Sequence, residues 1–151
     1  MASPLVSAQI FERLAQGNAA CGWVAFIAAT SGSTLGSIPK DTARAIFNHP
    51  NTMIAGVFAP AGKASVSNGE VTVSGRWQWG SGTQNANWIL GGCLVEAGNS
   101  KPSQHMILMP AEQIGFLDTW HVSGLQGTGS TDYEVSNLTL PDSHIVGFGE
   151  Q

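Results

Sequence analysis

Charge is what this chain has least of: Asp, Glu, Lys and Arg make up 11% of its 151 residues, and the formal net charge is −4. Lys and Arg form no cluster, so neither nucleic acid nor an anionic membrane is an expected partner. Cysteine is nearly missing. Cys21 and Cys93 stand in apolar surroundings without further cysteines or nearby histidines, which excludes a disulfide framework and makes a reducing cytoplasm the expected location. The sequon at Asn137 carries no weight in such a compartment. His49, His105, His121 and His144 are far apart and share no ligand spacing, so no metal centre is expected. The longest strongly apolar run, Ala19 to Ala29, is too short for a bilayer and lacks the basic flank of a signal peptide; it reads as a buried helix. The motifs G-x-S-x-G, a phosphate loop and the dinucleotide fingerprint are absent, since Gly124 to Gly129 is spaced G-x-x-G-x-G with no helix pattern after it.

Glycine is abundant instead, with 19 residues, and it suits closely approaching strands and tight turns. The first third reads as helical. Ser3 caps, Pro4 suits the first turn, and Val6, Ile10 and Leu14 recur at helical spacing. Gly17 and Asn18 end that helix, Asn18 caps a second one carrying Trp23, Phe26 and Ile27, and Ser31 to Ser37 breaks it. A third helix runs from about Pro39 to Phe47. From Met53 the pattern becomes short β-type runs between turn residues, with strands expected near 53–58, 63–67, 70–81, 88–96, 104–110, 113–124 and 132–139. Asn68-Gly69 is a hairpin turn signal.

Two segments carry the functional reading. In GRWQWGSG, residues 75 to 82, a continuous strand would place Trp77, Trp79 and Ser81 on one face, a surface suited to a flat, partly polar ligand. The plainer reading is two core tryptophans and a serine near a strand end. In GLQGTGSTDYEV, residues 124 to 135, a glycine turn using Gly127 and Gly129 at positive φ feeds an alternating strand. Asp118, Asp132 and Glu134 read as solubilising residues at strand edges.

Taken in order, the helices, AGVFAPAGKA, NGEVTVSGRWQWGSGTQNANWILGGCLVE and the GTGS segment resemble the acyl-CoA dehydrogenase superfamily, and most closely its flavin-dependent monooxygenase branch, which hydroxylates phenols and related compounds. The resemblance implies an α+β fold: a short N-terminal helical segment, 1–50, followed by an antiparallel β-barrel or sandwich, 51–151, like the family's middle domain. It implies FAD or FMN in reduced form as cofactor. Trp79 matches the tryptophan bordering the flavin ring and Ser81 the hydroxyl near N5, with Gly80 between them. Backbone groups of Val57 and Phe58 would approach the pyrimidine edge, and Thr128 and Ser130 are candidate loop hydroxyls. Phe58 replaces a hydroxyl common in the dehydrogenases. Thr30 and Ser31 stand where many monooxygenases carry a histidine, Gln126 stands where relatives often have arginine, and the C-terminal four-helix bundle of the family has no counterpart in these residues. The expected partners are a homo-oligomer or a chain supplying the missing helices, together with a flavin reductase. Two alternatives stay open: a non-catalytic β module or assembly subunit that kept the fold and lost flavin binding, and one piece of a split enzyme.

Overall fold

A computed structural model describes residues 3–98 and 101–147; the expected β region, 51–151, runs past them. Three helices come first: α1 Pro4–Gly17, α2 Ala19–Ser33 and α3 Lys40–Phe47. Their starts follow the sequence signals. Ser3 Oγ accepts the Val6 N–H at 3.3 Å with Pro4 opening α1, and Asn18 Oδ1 accepts the N–H groups of Ala20 and Cys21 at 2.9 and 3.2 Å. Helix α2 outlasts the expected break at Ser31 and continues as a 3-10 turn, Thr34–Ser37. Thr30, Ser33 and Thr34 bond their hydroxyls back onto carbonyls three or four residues earlier, which lets the polar stretch stay helical.

Among the described residues seven strands form one sheet: β1 Ile54–Ser67, β2 Glu70–Trp77, β3 Trp88–Ala97, β4 Ser103–Pro110, β5 Gly115–Leu117, β6 Asp132–Pro141 and β7 Ile145–Gly147. Their order is β5-β6-β2-β1-β3-β4-β7. All neighbours are antiparallel except β1 and β3, which run parallel. The α+β class and the antiparallel character agree with the sequence reading. Asn68 and Gly69, at φ 54° and 80°, make the β1–β2 turn. The expected strands 53–58 and 63–67 are one strand interrupted by a bulge, the 113–124 run shortens to β5, and β7 adds an edge.

Alternation puts both faces of β3 and β4 to use. Ile89, Cys93, Ile107 and Met109 enter one core with Trp77 and Tyr133, while Leu90, Met106 and Leu108 enter a second, closed by Leu35, Ile38 and Ile46 from the helical segment. Trp77 is the largest fully buried side chain; its indole N–H donates to the Gly92 carbonyl at 2.8 Å, and its ring stacks on Tyr133 at 5.2 Å. The ring lies over Gly62, Gly75 and Gly91, where an added Cβ would sit 2.4, 2.8 and 2.7 Å from Trp77 atoms. Much of the glycine in the strands is therefore the floor on which one tryptophan rests.

The expectation that α2 is buried fails. Only Gly22 and Ser31 of that helix are buried, and Trp23 and Phe26 remain 45% and 38% exposed. Together with its 3-10 extension it runs Ala19–Ser37, 19 residues of mean hydropathy 1.2, which by length and composition alone suffices to cross a membrane. The sequence count stopped at Ala29 because hydroxyl residues interrupt the apolar run there, and those hydroxyls are satisfied inside the helix. Helix α2 packs on α1, on β1 and on the 126–128 turn.

Candidate functional site

The site begins with an interruption in β1. Val57 pairs with Gly91 and Gly62 with Cys93, so residues 58–61 stand opposite Gly92 alone and bulge outward. Pro60 suits a segment without ladder bonds. Gly92 permits the close approach, since a Cβ there would meet the Phe58 and Ala59 carbonyl oxygens at 2.3 and 2.5 Å. Val57, Ala59 and Ala61 of this shoulder face Arg76, Gln78 and Trp79 across a groove of about 280 Å³.

Strand β2 ends at Trp77, four residues short of Ser81, where the period-two reading needs it to reach. Trp79 takes φ 61°, a left-handed conformation costing a tryptophan about 1 to 3 kcal/mol. The reversal separates the three side chains expected on one face: Trp77 is fully buried, Trp79 is 71% exposed and Ser81 is 9% exposed. What holds the chain there is distant in sequence. Gly80 donates its N–H to the Thr131 carbonyl at 2.9 Å, and Trp79 donates its own to Asp132 Oδ1 at 3.4 Å. Oδ2 of the same carboxylate accepts Arg76 Nη2 at 2.9 Å and Nε at 3.3 Å. The Arg76 hydrogen bond, opposed by burial, holds the Asp132 carboxyl below the usual carboxylate range. Asp132 is 4% exposed, which corrects its reading as a solubilising edge residue.

The hydroxyls form a second cluster beyond the turn. Trp23 donates its indole N–H to Ser81 Oγ at 3.0 Å, Ser81 Oγ lies 2.7 Å from Ser130 Oγ, Ser130 lies 2.6 Å from Thr128 Oγ1, and Thr128 donates to the Leu125 carbonyl at 2.9 Å. Helix α2, the 80–82 turn and the GTGS loop are tied by this chain of bonds. Gly129 has the expected positive φ; the other such residue is Leu125, at φ 55°, in place of Gly127. Gln126 donates to the Val122 carbonyl at 2.8 Å and so serves the loop itself.

The expected contacts thus fall into two groups. Val57 and Trp79 line the groove, with Phe58 on the bulge beside it; Ser81, Thr128 and Ser130 share the hydroxyl cluster; Gly80 joins the two. A side chain at Gly80 would press on the Tyr133 ring at 2.8 Å, so this glycine serves packing as well. One role changes. The Val57 N–H, expected to face a ligand, donates to Tyr133 Oη at 3.1 Å, leaving Val57 to contribute its side chain. Burial pushes the Tyr133 phenol well above its ordinary range, so it stays protonated as a structural donor. Trp23, Arg76, Asp132 and Tyr133 were not among the expected site residues. The juxtaposition of Arg76 and Asp132 was implicit in pairing β2 with the strand after GTGS, but no local pattern gave that register.

The groove can receive a flat ring edge against an indole, an aliphatic shoulder and a half-exposed guanidinium, and the buried hydroxyl cluster follows along the chain beyond Gly80. Its carboxylate is committed to Arg76, so the described residues are suited to binding and orienting a group that brings its own redox chemistry.

No protein-family model matches the chain. The FADH2-dependent resorcinol hydroxylase oxygenase component of Rhizobium sp. (strain MTP-10005) is 30% identical over 146 residues, covering 93% of this chain and 36% of that protein. The oxygenase subunit HsaA of Rhodococcus jostii, a flavin-dependent monooxygenase, is 29% identical over 150 residues, covering 97% of this chain and 39% of its own length. The crystal structure of HsaA from M. tuberculosis superposes with a TM-score of 0.77 at 28% identity, over 83% of this chain and 33% of the other. Fold and relatives together define a flavin-monooxygenase type of chain. Its homologues are flavin-dependent monooxygenase oxygenase components whose fold it shares, and it spans little more than a third of the length of these relatives.

Proposed function

We propose that this chain forms the flavin-binding wall of a flavin-dependent monooxygenase that hydroxylates an aromatic substrate. The observation that carries the reading is the groove between the β1 bulge and Trp79, held open by a strained backbone, in a chain aligning nearly end to end with FADH2-dependent and other flavin-dependent oxygenases. Trp79 and Val57 would border the ring and keep water from it, Arg76 would sit near its polar edge, and Ser81, backed by Ser130 and Thr128, would offer a hydroxyl near N5. Bound reduced flavin, FADH2 or FMNH2, supplies the electrons that activate dioxygen for insertion of one oxygen atom into the substrate. The wall is one-sided. Leu5, Ile10 and Leu14 of α1 and Trp23 of α2 are exposed, and helices of another copy or of a partner chain would cover them. A separate flavin reductase would deliver the reduced cofactor, in the cytoplasm. Residues 1–50 and 51–151 would act as the helical and β parts of this unit.

Anaerobic equilibrium dialysis of the purified chain against reduced and oxidised FAD and FMN tests the reading. Saturable binding in the micromolar range is expected; a chain that retains none of the four forms is instead the non-catalytic assembly module.

A further inference from the structure

Hydrogen counting sets a direction on the hydroxyl chain. Thr128 gives its one hydrogen to the Leu125 carbonyl, so Ser130 must be the donor to Thr128, and Ser81 the donor to Ser130. Ser81 also accepts the Trp23 N–H. That leaves it one lone pair and no hydrogen for a ligand. Reversal is available at the cost of the Thr128–Leu125 bond: Thr128 would donate to Ser130, Ser130 to Ser81, and Ser81 outward. The Leu125 carbonyl also accepts the Thr128 N–H at 3.1 Å and the Trp120 indole N–H at 3.3 Å, so it would not be orphaned.

We propose that Thr128 and Ser130 are positioning residues that keep the Ser81 hydroxyl an acceptor, and so select a ring nitrogen that carries hydrogen over one that does not. Resting on the flavin reading above, this means that the relay favours the reduced ring, whose N5 bears a hydrogen, over the oxidised ring, whose N5 can only accept. The preference is worth about one hydrogen bond, or roughly a 3- to 10-fold difference in affinity.

Anaerobic titrations with reduced and oxidised FMN and FAD, on wild type and four variants, measure it. Thr128→Val keeps the side-chain shape but removes the acceptor for Ser130, which then donates to Ser81 and fills its last lone pair, leaving Ser81 only a hydrogen to offer. The ratio of oxidised to reduced dissociation constants should fall by about 3-fold or more. Thr128→Ser should restore it, and Ser130→Ala should abolish the preference. Ser81→Ala should weaken reduced flavin binding by about 3- to 10-fold and leave oxidised flavin unchanged. If Ser81→Ala acts in this way while Thr128→Val leaves the ratio at its wild-type value, the relay is overturned and the flavin reading stands. If Ser81→Ala changes neither affinity while the wild-type chain binds flavin, the relay is overturned and the flavin reading stands; if the wild-type chain binds neither form, both fail.

Discussion

Replacing Asp132 by Asn tests whether a buried carboxylate holds the groove in shape. The carboxylate side chain is 6% exposed and receives two hydrogen bonds from Arg76 and one from the Trp79 N–H. Removing one partner of a fully buried pair costs about 3 to 5 kcal/mol. Here the Arg76 side chain is 53% exposed and recovers solvent, and Asn keeps an oxygen for Trp79, so about 2 kcal/mol is expected after discounting for screening. For a chain of this length that is a fall in melting temperature of about 4 to 8 °C. The pH dependence has a definite sign. Because the folded carboxyl titrates below its ordinary value of 3.8, the unfolded chain binds more protons, and the stabilisation is present above that value and lost as pH falls through the lower folded one. Thermal unfolding followed by circular dichroism between pH 7 and pH 2.5 should therefore show Asp132→Asn losing stability at neutral pH and converging on wild type at the acid end. A variant that melts within 1 °C of wild type at pH 7, with an unchanged acid limb, would refute the clamp.

Other expectations concern the core and the thiols. Gly91→Ala places a Cβ 2.7 Å from the Trp77 ring and 2.9 Å from Met109, and overpacking should destabilise the chain by about 1 to 3 kcal/mol in urea unfolding. Trp77→Ala should cost about 3 to 5 kcal/mol by the same measurement. Cys21 is exposed while burial pushes the Cys93 thiol up to about 12, so a disulfide reagent at pH 8 should titrate one thiol in the native chain and two after denaturation.

The legible parts of this chain are those governed by neighbours in sequence. Ser3-Pro4, Asn18 and Asn68-Gly69 announce their caps and turn because each satisfies or frees backbone groups within a few residues. Strands β3 and β4 are apolar runs of strand length bounded by turn signals, and they lie where the pattern put them. The site was read as to place and missed as to conformation. Alternation in GRWQWGSG is genuine up to Trp77, but the φ reversal at Trp79 is imposed by Thr131 and Asp132, residues that only the β2–β6 register brings near. The bulge at 58–61 was likewise invisible, because Pro60 signals a ladder interruption without saying how the two flanks realign on β3. Asp132 looked like an ordinary strand-edge acid, since burial of a carboxylate follows from where its arginine lies. Trp23 was placed on a buried helix face, whereas its indole is half exposed and its N–H ties that helix to Ser81.

The central claim is that the exposed Trp79 indole lines the groove that receives the flavin ring, and tryptophan fluorescence during anaerobic titration with reduced flavin tests it most directly. Quenching should fall in Trp79→Phe and be retained in Trp88→Phe, where the replaced tryptophan is partly buried and packs against the second core beside His144. Equal quenching in the two variants, at wild-type affinity, would place the flavin elsewhere and contradict the account.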